Sequence, residues 1–137
     1  MHYMNDSVVT RELGETLDTL RTQLGTATAR VVRPRSARIV YRGVHAPIPS
    51  CRILDDPLPR PFPYTSANSG PYHWAEFGQQ NAKVRRLVTE RNMTFLDVHG
   101  QTSMRPGGHM PGRVDCAHYC MPGPIDEWLR LLLALLT

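Results

Sequence analysis

Seven prolines fall within residues 45–72: Pro47, Pro49, Pro57, Pro59, Pro61, Pro63 and Pro71. Proline lacks a backbone N–H and has a fixed φ, so a helix interior or central strand does not tolerate such a run. The stretch reads as one long irregular loop, and regular structure must come from the segments on either side. A loop this long in a compact domain is usually functional or disordered. Here it is expected to be a surface excursion carrying part of a site. A ligand for a proline-reading module is the alternative.

Before the loop, Leu13, Leu17, Leu20 and Leu24 recur in steps of four, three and four, which makes one apolar helical stripe. Asn5, Asp6 and Ser7 offer cap oxygens ahead of it, Gly25 closes it, and Gly14 is an unfavourable interior residue. Residues 38–41 form a short β-branched and aromatic run, read as a buried strand that ends at Gly43. After the loop, residues 74–92 predict a second helix. Trp74, Phe77, Val84, Leu87 and Val88 supply its buried face, and Lys83, Arg85, Arg86, Glu90 and Arg91 cover the rest. Residues 94–98 predict a second strand, and residues 100–123 a loop rich in glycine, proline and histidine. A strongly apolar helix then opens at Pro124. Asp126 and Glu127 complement its dipole, and Trp128 is expected in the core.

Helices alternating with strands imply an α/β fold, a parallel sheet flanked by helices. The 137 residues suffice for one domain with a real core. Two strands make a poor sheet, and the opening helix has no strand before it. The chain therefore reads as residues 1–137 of the C-terminal portion of one domain, with N-terminal strands missing. An unpaired strand edge would leave such a piece poorly stable by itself.

The formal charge is +4 and the pI about 9.3. Arg30, Arg33, Arg35 and Arg38 form the densest basic cluster, without the aromatic interleaving of a nucleic-acid binder, so nucleic acid is not an expected partner. Residues 129–136 are apolar apart from Arg130 but fall short of the roughly 18 residues a membrane span needs, so no membrane contact is expected of this segment. The first residues are neither basic nor apolar, unlike a secretory leader. The cysteines are Cys51, Cys116 and Cys120, an odd number that leaves at least one thiol without an internal partner.

The densest chemistry lies in residues 113–123, Arg-Val-Asp-Cys-Ala-His-Tyr-Cys-Met-Pro-Gly. Sites in open α/β sheets lie beyond the carboxyl ends of strands, where this block sits. Asp115 precedes His118 by three residues. A carboxylate so placed can fix the imidazole tautomer and leave the other nitrogen to take a proton from a nucleophile. The same block admits a zinc reading, with Cys116, His118 and Cys120, joined by Asp115, His109 or Cys51, as ligand types at a spacing that matches no common knuckle. It also admits a structural one, with the cysteines as staples and His118 as a buried histidine. Catalysis is preferred for His118 and the staple for the cysteines.

Residues 115–124, followed by Asp126 and Trp128, resemble the closing block of the PC-esterase superfamily and its trichome birefringence-like group. That block reads Asp-Cys-x-His-Trp/Tyr-Cys-Leu-Pro-Gly, then an Asp and a Trp before a leucine-rich helix. Residues 105–109, Arg-Pro-Gly-Gly-His, resemble the family's Arg-Pro-Asp-Gly-His segment, with Gly107 in place of the acid. Tyr41 and Arg42 through Cys51 are similar to a strand and loop ending in a cysteine. His2 and Tyr3 resemble the residues after the family's oxyanion asparagine.

The resemblance implies a partial SGNH-type doubly wound parallel sheet. It implies acyl transfer or ester hydrolysis on a carbohydrate or other acyl-acceptor hydroxyl, without cofactor or metal. His118 and Asp115 would be catalytic, and Arg105, His109 and His45 are candidates to bind substrate, with loop structure the preferred role for His109 and a surface position the preferred one for His45. The nucleophilic serine belongs to a Gly-Asp-Ser block that this sequence lacks. Ser7, Ser36, Ser50, Ser66, Ser69 and Ser103 all stand in other contexts, so serine and oxyanion donors are expected upstream of Met1. Cys51 is expected to pair with Cys120 or Cys116, which implies the oxidising lumen of the secretory pathway or Golgi. A non-catalytic carbohydrate- or protein-binding remnant is the second reading, and a small zinc-binding protein the third.

Overall fold

A computed structural model of the chain describes residues 6–28, 38–54, 57–109 and 115–137. His2, Tyr3, Asn5, Arg30, Arg33, Arg35, Ser36, Arg113 and Val114 lie outside them. The elements in order are α1 (Asp6–Thr28), β1 (Val40–Arg42), α2 (Phe77–Glu90), β2 (Thr94–Leu96), the one-turn α3 (His99–Thr102) and α4 (Pro124–Leu136), with single 3-10 turns at Ser66–Asn68, Trp74–Glu76 and Pro106–Gly108. The fold is α/β. β1 and β2 form a two-stranded sheet, and the bonds at its ends (Thr94 N–H to the Ile39 carbonyl, Gly43 N–H to the Leu96 carbonyl) advance together along both strands, so the pair is parallel. The chain divides into two compact units, one of Met1–Tyr41 with Lys83–Phe95, the other of Arg42–Ala82 with Leu96–Thr137.

The first unit is built on Leu17, Val88 and Met93, with Leu13, Ile39, Tyr41, Val84 and Phe95 packed around them. Only the first half of the leucine stripe is used. Leu20 and Leu24 are exposed, and α1 runs through Gly25 to Thr28 rather than stopping there. Gly14 has a packing reason. A Cβ there would sit 3.0 Å from the Arg91 guanidinium, whose Nε and Nη2 bind the two carboxylate oxygens of Asp18 at 2.9 and 3.1 Å. This two-point pair from α1 to the end of α2 holds the Asp18 carboxyl below its usual range.

β1 is half-buried, begins later than expected and ends at Arg42, directly before Gly43 as expected, with Arg42 pointing outward, and β2 stops at Leu96. On the second helix only Val88 is fully buried, and Trp74 stacks on the exposed Tyr72. Neither Trp74 nor Trp128 is a core residue in the full sense, since both are half-buried.

The second unit overturns the view of the proline-rich stretch as a surface excursion throughout. Ala46, Pro47 and Ile48 are completely buried and form its core with Val98, Pro106, Cys116 and Tyr119. Leu58 and Phe62 N–H groups bond the carbonyls of Met104 and Ser103, and the Tyr64 hydroxyl donates to the Pro47 carbonyl at 2.6 Å. Asn81, also buried, exchanges both amide bonds with the backbone of Val44. Proline removes donors, not acceptors, so such a segment can be buried wherever its carbonyls find partners.

In α4, Leu129, Leu133, Leu135 and Leu136 are exposed. Leu17→Ala is expected to lower stability by about 2–4 kcal/mol through the cavity it leaves. Leu133→Ala should change it by less than about 0.5 kcal/mol, as for other exposed sites. Urea midpoints of the two variants check the contrast.

Candidate active site

The site is carried by residues 115–120, between the Pro106–Gly108 turn and α4. Asp115 makes the local fold. Its Oδ1 accepts from the backbone N–H groups of Ala117 at 2.9 Å and His118 at 3.1 Å, reversing the chain within three residues. The reversal brings the His118 ring back over the same side chain. His118 Nδ1 then donates to the other oxygen, Oδ2, at 2.6 Å. The two oxygens have separate work, one holding the backbone and one holding the imidazole. These bonds, led by the Ala117 N–H and followed by the His118 ring, pull the Asp115 carboxyl down to about 2.

With Nδ1 donating, Nε2 of neutral His118 carries a lone pair. The His118 side chain is 82% exposed, and no described residue bonds that nitrogen. The arrangement is an oriented imidazole with one exposed ring nitrogen. None of the described serines bonds His118; Ser103 donates to the Gly100 carbonyl, and Ser69 accepts from the Ala75 N–H.

The turn is fastened on three sides. Cys51 and Cys116 form a disulfide with a sequence separation of 65. The Ile48 N–H donates to the Cys116 carbonyl, and the Cys120 N–H to the Gly108 carbonyl. Tyr119 points inward, and its hydroxyl donates to the Ala46 carbonyl at 2.6 Å. Gly108 lets the turns close, since a Cβ there would meet Pro124 Cδ at 2.6 Å and Tyr119 Cδ1 at 2.9 Å.

His45 is no surface histidine. It is half-buried, bonds the Ala117 carbonyl through Nε2 at 2.6 Å, and packs against the rings of Tyr119 and Trp128, which also touch each other. His109 is buried, stacks 4.0 Å from Tyr119, and bonds the His118 carbonyl through Nδ1 at 2.7 Å. Arg105 is exposed and lines a cleft of about 670 Å³ with Gly107, Gly123, Asp126 and Arg130, a cleft that neither Asp115 nor His118 lines.

Cys120 is a free thiol. The zinc reading loses a ligand, because Cys116 is tied up in the disulfide, and the described residues hold no group of three His, Cys, Asp or Glu fit for a metal ion. Sequence reasoning missed the structural use of Thr102. It is buried, donates its hydroxyl to the Val98 carbonyl, and accepts from the Trp128 indole at 3.1 Å. No local signal marks it, since its partner lies 26 residues away.

The site is thus a hydrogen-bonded His–Asp pair on an α/β scaffold. Residues 59–135, more than half of the chain, match PC-Esterase, the GDSL/SGNH-like acyl-esterase family found in Pmr5 and Cas1p, and the chain belongs to that family. It is 36% identical over 89 residues to xyloglucan O-acetyltransferase 4 of Populus trichocarpa, covering 56% of this chain and 21% of that protein. It is 47% identical over 68 residues to xyloglucan O-acetyltransferase 3 of the same plant, covering 42% and 17%. Protein trichome birefringence-like 20 of Arabidopsis thaliana is 40% identical over 57 residues, covering 33% and 12%. The chain thus spans about a fifth or less of the length of these relatives. No solved structure matches it. No helix of the described residues is long and apolar enough to cross a membrane.

The Asp115 carboxyl is depressed, so its bonds support the turn fully above the ordinary aspartate range, near 3.9. That support is lost as the pH falls through about 2. Carbon-detected NMR of the Asp115 carboxyl should give a midpoint near 2, whereas a midpoint near 4 would show the turn unformed.

Proposed function

We propose that this chain is the C-terminal portion of one SGNH-type domain that moves an acyl group, most simply acetyl, to or from a carbohydrate hydroxyl. The observation that carries the reading is the 2.6 Å bond from His118 Nδ1 to Asp115, which leaves an exposed Nε2 as a base. Family membership supports acyl chemistry, and the names of the relatives point to a polysaccharide as acceptor.

In this mechanism a serine outside the present chain attacks the acyl carbonyl while His118 Nε2 takes its proton. Asp115 stays ionised and stabilises the imidazolium. The tetrahedral oxyanion is held by donors that also lie outside the chain, and it collapses as His118 returns the proton to the leaving oxygen. A sugar hydroxyl or water then attacks the acyl-serine, with His118 again as base. Residues 45–51 hold the proposed catalytic turn, and Arg105, exposed in its cleft beside Arg130, would meet substrate oxygens. The Cys51–Cys116 disulfide supports residence in an oxidising lumen.

The test is His118→Ala in the full-length protein, assayed for acetyl transfer to a xyloglucan oligosaccharide and for hydrolysis of p-nitrophenyl acetate. Loss of the base should lower kcat by roughly 10³-fold or more. A kcat within about threefold of wild type would remove His118 from the chemistry and leave a binding remnant as the better reading.

A further inference from the structure

Two imidazoles outside the Asp115–His118 pair hold the peptide that carries it. His109 Nδ1 lies 2.7 Å from the His118 carbonyl oxygen, and His45 Nε2 lies 2.6 Å from that of Ala117. A carbonyl only accepts, so both ring nitrogens donate, which fixes opposite tautomers in the two histidines. The remaining nitrogens, His109 Nε2 and His45 Nδ1, are buried without a partner among the described residues. Burial pushes both histidines down from their ordinary value, so both are neutral at pH 7.

A ring with an orphaned buried nitrogen is a poor choice for packing alone. Phenylalanine fills nearly the same space against Tyr119 and Trp128 and leaves no polar atom unsatisfied. What phenylalanine lacks is the N–H. The two N–H groups here meet consecutive carbonyls, 117 and 118, and Asp115 Oδ1 binds the N–H groups of the same two residues. The peptide between Ala117 and His118 is therefore held at both its carbonyl and its N–H, and the next one at its carbonyl. An exposed contact such as the His118–Asp115 bond is a weak tether by itself, so the backbone that carries the ring shares in orienting it.

We propose that His45 and His109 are positioning residues, whose N–H groups pin the Ala117 and His118 carbonyls so that His118 keeps Nδ1–H on Asp115 and Nε2 open. The catalytic meaning of this rests on the reading of His118 as the base. The positioning itself does not.

The experiment uses ring-nitrogen NMR of the full-length protein at alkaline pH. Wild-type His118 should be mainly the Nδ1–H tautomer, against the Nε2–H form that free imidazole side chains favour. His109→Phe and His45→Phe keep the rings and remove the donors, and each should cut the Nδ1–H population at least about threefold. His109→Asn places an amide N–H near the Nδ1 position, and His45→Gln does so near Nε2, so both should restore the wild-type tautomer. Folded phenylalanine variants with an unchanged His118 tautomer would overturn the proposal. If those variants do not fold, the amide variants decide: retention of the tautomer supports it, and its loss shows that the rings and not their N–H groups matter. None of these readings needs enzymatic activity. A full-length His118→Ala protein that stays active would defeat the catalytic reading while leaving the tautomer result intact.

Discussion

The second unit depends on a reciprocal exchange between residues 45–51 and residues 115–120. His45 donates to the Ala117 carbonyl, Tyr119 to the Ala46 carbonyl, and the Ile48 N–H to the Cys116 carbonyl, with the Cys51–Cys116 disulfide at the end of the row. Buried backbone polar groups must find partners, and neither segment has a helix or strand to supply them. Each irregular segment satisfies the other. Burial pushes the Tyr119 hydroxyl well above its ordinary range, so it remains a donor throughout the pH range in which the protein would work. The sequence separation of 65 between the bridged cysteines is large enough for the cross-link to remove about 4 kcal/mol of chain entropy from the unfolded state.

Arg105, whose cleft lies apart from the catalytic turn, and His118, whose free nitrogen points outward, share one property: both face solvent. The interior of the unit is used for orientation, through Thr102, His45, His109 and Tyr119. The two side chains proposed to meet substrate are left at the surface. This division suits an acyl enzyme assembled from more than one stretch of chain. The proposed base would need a fixed tautomer and an open nitrogen, and the Asp115 bond and the exposure of His118 supply these.

Local patterns in the sequence carried the helices and the catalytic block. The heptad-like leucines located α1, the proline and paired acids located the start of α4, and the Asp-x-x-His spacing located the ion pair. What escaped sequence reading was non-local. Nothing near Gly25 shows that α1 continues to Thr28. Nothing in a proline-rich composition shows that Ala46, Pro47 and Ile48 would be the most buried residues of their unit, because proline content constrains hydrogen-bond donors and says little about burial. The roles of His45 and His109 were hidden for the same reason. Their acceptors, Ala117 and His118, lie 72 and 9 residues away and are backbone atoms that carry no side-chain signature. The choice of Cys116 over Cys120 as the partner of Cys51 likewise depends on which thiol the turn directs inward.

The central claim is that His118 activates a serine supplied by chain outside these 137 residues. Intact-mass measurement of the full-length protein during reaction with a fluorophosphonate tests it without any assumption about donor or acceptor. The account predicts a single adduct on a serine, formed at least about 100-fold more slowly when His118 is alanine. A labelling rate that does not depend on His118, or no serine adduct at all, would contradict it.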